Sequence, residues 1–158
     1  MGYGKPRNYA CRISDEYTYK GLRTVVLENE TLRISILADK GTDIFEFLYK
    51  PADVDFMMLS PQGVRNPAQG LASLASSGGP FLDFYEGGWQ EILPNGGPPC
   101  VYKGAELGQH GEVSLIPWEH AIVEDTAERV AVRFWVRPLR IPLFLEKTLY
   151  LDSRNSIL

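Results

Sequence analysis

Leu32-Arg33-Ile34-Ser35-Ile36 alternates strictly between apolar and polar residues. A period of two places Leu32, Ile34 and Ile36 on one face of an extended strand. Asp39-Lys40-Gly41 follows as a turn signal. Ile44-Phe45-Glu46-Phe47-Leu48 then reads as a second strand, Lys50-Pro51-Ala52-Asp53 as another turn, and Val54 to Leu59 as a third strand. Upstream, Tyr19 to Glu28 carries Leu22, Val25, Val26 and Leu27 and also reads as β. Strands this close in sequence are expected to be antiparallel neighbours. Near the other end, Val130, Val132, Phe134 and Val136 share a face. So do Leu143, Leu145, Leu149 and Leu151, in a row that Lys147 interrupts. These segments predict an all-β fold, an antiparallel β-sandwich, with residues 1–158 as one domain and 1–18 as an irregular N-terminal segment.

The middle of the chain lacks this periodicity. Asn66 is placed to cap a short helix with Pro67 at its first position, carrying Leu71, Leu74 and Ala75 inward and ending before Gly78-Gly79. From Gly78 to Gly111 there are nine glycines and four prolines, with Phe81, Phe84, Tyr85 and Trp89 among them. A long aperiodic segment in a compact chain is usually functional or disordered, and the aromatics argue for function.

Composition narrows the field. The chain has 158 residues, 44% hydrophobic and 23% charged, with a net charge of -4. That suits a globular chain with a real core, and it speaks against nucleic acid and anionic membranes as partners. No apolar run approaches the roughly 18 residues of a membrane-spanning helix, and the first residues are not of signal-peptide type. A cytoplasmic location is expected, with Cys11 and Cys100 as reduced thiols and Cys100 buried. The last residues, Ser156-Ile157-Leu158, read as the start of a further strand. The expectation is therefore a front part of a longer domain, with an unpaired strand edge open to self-association.

The histidines, His110 and His120, are ten residues apart, with no His-x-His, His-Glu-x-x-His or Cys-x-x-Cys pattern. No metal and no cofactor are expected, and the missing His-x-His counts against a cupin-type metal isomerase. There is no Gly-x-Ser-x-Gly elbow and no phosphate loop. The chemistry gathers instead in two segments, Gly87-Gly88-Trp89-Gln90-Glu91-Ile92-Leu93-Pro94-Asn95-Gly96-Gly97-Pro98 and Gln109-His110-Gly111-Glu112-Val113-Ser114-Leu115-Ile116-Pro117-Trp118-Glu119. Gln90, Glu91, Asn95, Gln109 and His110 supply hydrogen-bonding groups. Trp89 and Trp118 supply flat apolar faces. A hydroxyl-rich ligand such as a sugar wants this mixture. Each residue also has a plain structural alternative. Asn95-Gly96 is a turn pair, Trp118 after Pro117 a core residue, Glu91 a loop carboxylate, and His110 a satisfied loop histidine.

A Gly-Gly segment running into a proline, followed by His-Gly and then Pro-Trp, resembles the aldose 1-epimerase (galactose mutarotase-like) superfamily, nearest to its hexose-phosphate mutarotase-like and uncharacterised branches. The opening strand, Asp39-Lys40-Gly41-Thr42-Asp43-Ile44 and the Lys50 turn fit as well. The resemblance spans most of residues 19–158, about the front half of a family member. It implies a β-supersandwich holding an aldose in a groove and interconverting its anomers. A general acid protonates the ring oxygen while a general base takes the anomeric hydroxyl proton; the ring opens, the C1–C2 bond turns, and the ring recloses. It implies a sugar-site role for His110; Glu91, Asn95, Gln109, Trp89 and Trp118 are substrate-binding candidates by their own chemistry, and Glu91 and Asn95 are not the usual residues of the hexose-phosphate mutarotase-like branch. The second histidine and the glutamate of the family have no counterpart in these residues. Where hexose-phosphate mutarotase-like proteins tend to read His-Gly-Phe-Ala-Arg, this chain reads His110-Gly111-Glu112-Val113-Ser114, and the arginine is missing. A non-catalytic sugar-binding or sugar-sensing module on the same fold is the alternative.

Overall fold

The computed structural model describes residues 10–70, 79–154 and 158. Two antiparallel sheets hold most of the strand residues among them. The larger runs β1 (Cys11–Tyr19), β2 (Leu22–Asn29), β3 (Leu32–Leu37), β4 (Asp43–Tyr49) and β5 (Val54–Asp55), in that spatial order. The smaller has β9 (Arg129–Val136) at its centre, between β8 (Glu119–Asp125) and β10 (Leu145–Asp152). A separate hairpin joins β6 (Cys100–Tyr102) to β7 (Ala105–Leu107). Among the described residues no helix is long and apolar enough to cross a membrane.

The two sheets face one another, β1 packing on β9 and β8, and β2 on β10. The alternating faces meet between them. Val25 and Leu27 of β2, Ile34 and Ile36 of β3, and Val130, Val132 and Phe134 of β9 are all buried in one core. Polar groups tie its margin. Asn29 Nδ2 donates to the carbonyl of Asp152 at 2.7 Å, and Asn29 Oδ1 accepts from the amides of Thr31 and Leu32. Cys11 is buried and its thiol points at the carbonyl of Leu151 at 3.1 Å. Cys100, expected to be buried, is exposed, because it lies on β6 of the separate two-stranded hairpin, whose three residues are all exposed. Both thiols are free.

Three sequence expectations are corrected. The segment 1–18 is not irregular throughout, since β1 begins at Cys11; residues 1–9 lie outside the described residues. Tyr19 pairs with Leu22 across a two-residue loop in which Lys20 and Gly21 both have positive φ, 54° and 78°, as a tight hairpin of matching twist requires. A bulge between Ser14 and Tyr17 breaks the period of two, which is why alternation hid this strand. The helix expected from Asn66 reduces, where described, to a 3₁₀ turn over Pro67–Gln69. Asn66 Oδ1 does cap it, accepting from the Ala68 amide at 2.9 Å, but the backbone is already extended at Gly70. Leu71, Leu74 and Ala75 lie outside the described residues. A short helix, α1 (Gly79–Asp83), forms instead within the glycine-rich segment and buries Phe81. The strand expected over Val54–Leu59 is regular only at Val54–Asp55. Beyond it Leu59 bridges Gly87.

Candidate functional site

The glycine-rich segment folds into a knot against the mouth of the sandwich. Leu93 lies beside Gly111 in a parallel bridge, and the Glu112 amide donates to the Leu93 carbonyl at 3.1 Å. The approach is so close that a Cβ on Gly111 would stand 1.9 Å from the Leu93 carbonyl oxygen, at a φ of +74°. Only glycine accepts both conditions. The His110 amide donates to the carbonyl of Gly97 at 3.0 Å. The two motif segments are therefore adjacent in space at residues 93–97 and 108–112.

Within this knot the expected site residues take different parts. His110 itself has a positive φ of 59°, an uncommon conformation for a non-glycine residue. Its ring meets Phe81 of α1 edge-on, with centroids 4.5 Å apart. Its Nδ1 is buried and has no hydrogen-bond partner among the described residues. Asn95 lies beside it as the clamp of the loop. Its Nδ2 donates to the carbonyls of Gly108 at 2.9 Å and Pro98 at 3.1 Å, with a longer contact to Gly97 at 3.4 Å. Gln109 lines a crevice of about 340 Å3 together with Phe81, Glu106, Glu112 and Arg140.

Glu91 lies two residues before Leu93, at most about 7 Å of chain, but its carboxylate is engaged elsewhere. It accepts from the ammonium of Lys147 on β10 at 2.5 Å. No hydrogen bond or ion pair joins Glu91 to His110 among the described residues. Lys147 stands over the indole of Trp118, 5.6 Å from the ring centre. Burial pulls its pKa below the ordinary lysine value, against the opposing hydrogen bond and charge of Glu91.

The two tryptophans separate. Trp118 is not an open platform. Its indole is 2% exposed, it belongs to the main core, and its Nε1 donates to the Val113 carbonyl at 2.9 Å. Pro117 and the bond from the Trp118 amide to the Ala38 carbonyl turn it inward at the start of β8. Trp89 is 56% exposed, while its backbone exchanges two hydrogen bonds with Ile44. Its ring face is accessible.

Sequence reading missed two charged clusters. Lys40, read as part of a turn, is fully buried with Asp43 and Glu86. Its ammonium lies 2.5 Å from Asp43 Oδ2 and 2.7 Å from Glu86 Oε2, and Gln90 Nε2 also donates to Asp43 Oδ2 at 3.1 Å. Burial pushes the Asp43 carboxyl well above the ordinary carboxylate range. Glu86 adds to that push and Lys40 opposes it. The second cluster is at the crevice. Arg140, from the β9–β10 connection, donates its backbone amide to Glu112 Oε1 at 2.9 Å and its Nη1 to Oε2 at 2.8 Å. An arginine absent from the local His-Gly motif thus arrives from 28 residues further along. His120, read as facing solvent or a neighbouring side chain, places Nε2 3.3 Å from Asp15 Oδ2 and its ring beside Phe134. Among the described residues no three His, Cys, Asp or Glu side chains are grouped to hold a metal ion.

No protein-family profile matches this chain, and no curated protein matches it in sequence. Among solved structures it is similar to a galactose mutarotase related enzyme from Lactobacillus acidophilus, at 18% sequence identity and a TM-score of 0.49. The match covers 82% of this chain and 38% of that enzyme.

Proposed function

We propose that the knot of residues 93–97 and 108–112 binds a monosaccharide. In this reading His110 is the proton-transferring group of an aldose 1-epimerase-type isomerase that interconverts sugar anomers. The observation that carries the proposal is the setting of His110. A backbone pinned by Gly97, Leu93 and Gly111 holds it at positive φ, its ring is fixed by Phe81, and its Nδ1 has no partner among the described residues. An imidazole held this firmly with a nitrogen unengaged suits hydrogen bonding to a ligand, and histidine is the side chain most often used for general acid–base proton transfer. The neighbouring crevice is of small-molecule size. Gln109 adds an amide there, and exposed Trp89 offers an apolar face on the adjoining segment.

The chemistry would move a proton from the anomeric hydroxyl to a base and another to the ring oxygen from an acid. His110 fills one of these roles. A second reading, sugar binding without chemistry, is favoured by one observation: no carboxylate or second imidazole hydrogen-bonds His110 among the described residues. Polarimetry of freshly dissolved α-glucose and α-galactose tests whether these residues alone carry the chemistry. The 158-residue chain is expected to accelerate mutarotation little. Acceleration well above buffer, abolished by His110→Ala, would place a complete acid–base pair within these residues. Absence of sugar binding would overturn both readings.

A further inference from the structure

We infer that the crevice beside His110 selects its sugar by charge, favouring a protonated amino sugar and disfavouring a phosphorylated one. The inference rests on the sugar-binding reading above and names the substrate class within it. The charged groups lining the crevice are Glu106, Glu112 and Arg140, so two carboxylates face one guanidinium. That guanidinium is already engaged. Glu112 is 8% exposed; its Oε2 accepts from the Arg140 guanidinium at Nη1, and its Oε1 accepts from the Arg140 backbone amide. Drawing Arg140 away to meet a phosphate would strand a buried carboxylate without its partner, a costly exchange. A phosphate monoester, carrying about -1.5 to -2 charges at neutral pH, therefore meets a guanidinium already paired with Glu112 and a surplus negative charge in the crevice.

Glu106 is the second carboxylate of the crevice. It is exposed on β7, on the crevice wall, and has no ion-pair partner among the described residues. The lysine of its own hairpin, Lys103, lies over the Tyr102 ring, 5.4 Å from the centre. The other cation brought to the two motif segments, Lys147, is held by Glu91. An ammonium group on a sugar seated against Phe81 and Gln109 would meet an unneutralised acceptor in Glu106, whereas a neutral hydroxyl there gains only an ordinary hydrogen bond. A single exposed pair of this kind alters affinity by about two- to five-fold.

The test is a calorimetric titration of the 158-residue chain at low ionic strength with glucose, glucosamine and glucose 6-phosphate, and with the same three galactose compounds. Glucosamine or galactosamine should bind about two- to five-fold more tightly than its neutral parent, and the 6-phosphate more weakly than the parent by at least as much. Glu106→Gln should bring the amino-to-neutral ratio to about one, and so should salt raised to about 0.5 M, which screens an exposed pair. A phosphate that binds as tightly as the neutral sugar would overturn the inference. So would an amino preference that Glu106→Gln leaves intact. In both cases neutral sugars still bind and the sugar-binding reading survives. If none of the six compounds binds, that reading falls and this one with it.

Discussion

Gly111 bears the tightest local constraint in the site. An alanine methyl there would overlap the Leu93 carbonyl, 1.9 Å away, at a φ that L-residues avoid. Gly111→Ala should destabilise the chain by about 1–3 kcal/mol, measured as a shift in urea midpoint, and should separate the two motif segments. His110→Ala removes no backbone constraint, because the hydrogen bond from the residue 110 amide to the Gly97 carbonyl remains. Its expected effect falls on ligand binding, with a loss of about ten-fold if a buried hydrogen bond to the sugar is removed, and with the urea midpoint moved far less than in Gly111→Ala. Asn95→Ala should behave like the glycine variant, since its amide ties three carbonyls of the loop. These residues show what the sequence can and cannot convey. His110 and Asn95 were legible as a constellation from their glycine-rich setting. That Asn95 clamps the loop was not, because its partners are backbone carbonyls, which every sequence has.

At the scale of elements, the pairing of β3 and β4 is reinforced by Glu46. Burial alone would raise its pKa, but hydrogen bonds from Arg33 and Ser35, with the charge of Arg33, outweigh that and lower it. A carboxylate with a lowered folded pKa contributes stability above its unfolded value, and that contribution is lost as pH falls through the folded pKa. Glu46→Gln should therefore cost on the order of 1 kcal/mol at pH 7 and make the acid limb of the stability profile shallower. Equal acid limbs in the two proteins would contradict this. The strands β3 and β9 were legible because Leu32, Ile34 and Ile36, and Val130, Val132, Phe134 and Val136, recur at every second position and are the residues that the core buries. The start of β1 was not legible, since its bulge shifts the register midway. On β10, Lys147 breaks the apolar row for a reason that lies in another element, the Glu91 carboxylate. The local sequence around Lys147 does not reveal a partner 56 residues away.

In the molecule as a whole, the buried Lys40–Asp43–Glu86 cluster joins the β3–β4 turn to the segment that leads into the site. Its presence was invisible in the sequence, because Asp39-Lys40-Gly41 has the composition of an exposed turn. The hydrogen bonds from the Gly41 amide to Ile116 and from the Trp118 amide to Ala38 fold that turn under the second motif segment. Asp43 is raised above its ordinary value, so the folded state binds this proton more tightly than the unfolded chain does. Its contribution to stability is full below the unfolded carboxylate pKa and is lost as pH rises through the folded pKa. Asp43→Asn should remove that decline. Urea unfolding across the pH range reads it directly, and a decline unchanged in the variant would place its origin elsewhere.

The most direct test of the central claim is an amide chemical-shift titration of the 158-residue chain with galactose and glucose. Binding at the knot predicts shifts concentrated at residues 93–97, 108–112 and around Phe81, strongly weakened in His110→Ala. Shifts confined to another face of the sandwich, or none with either sugar at concentrations up to about 100 mM, well beyond ordinary weak affinities, would contradict it.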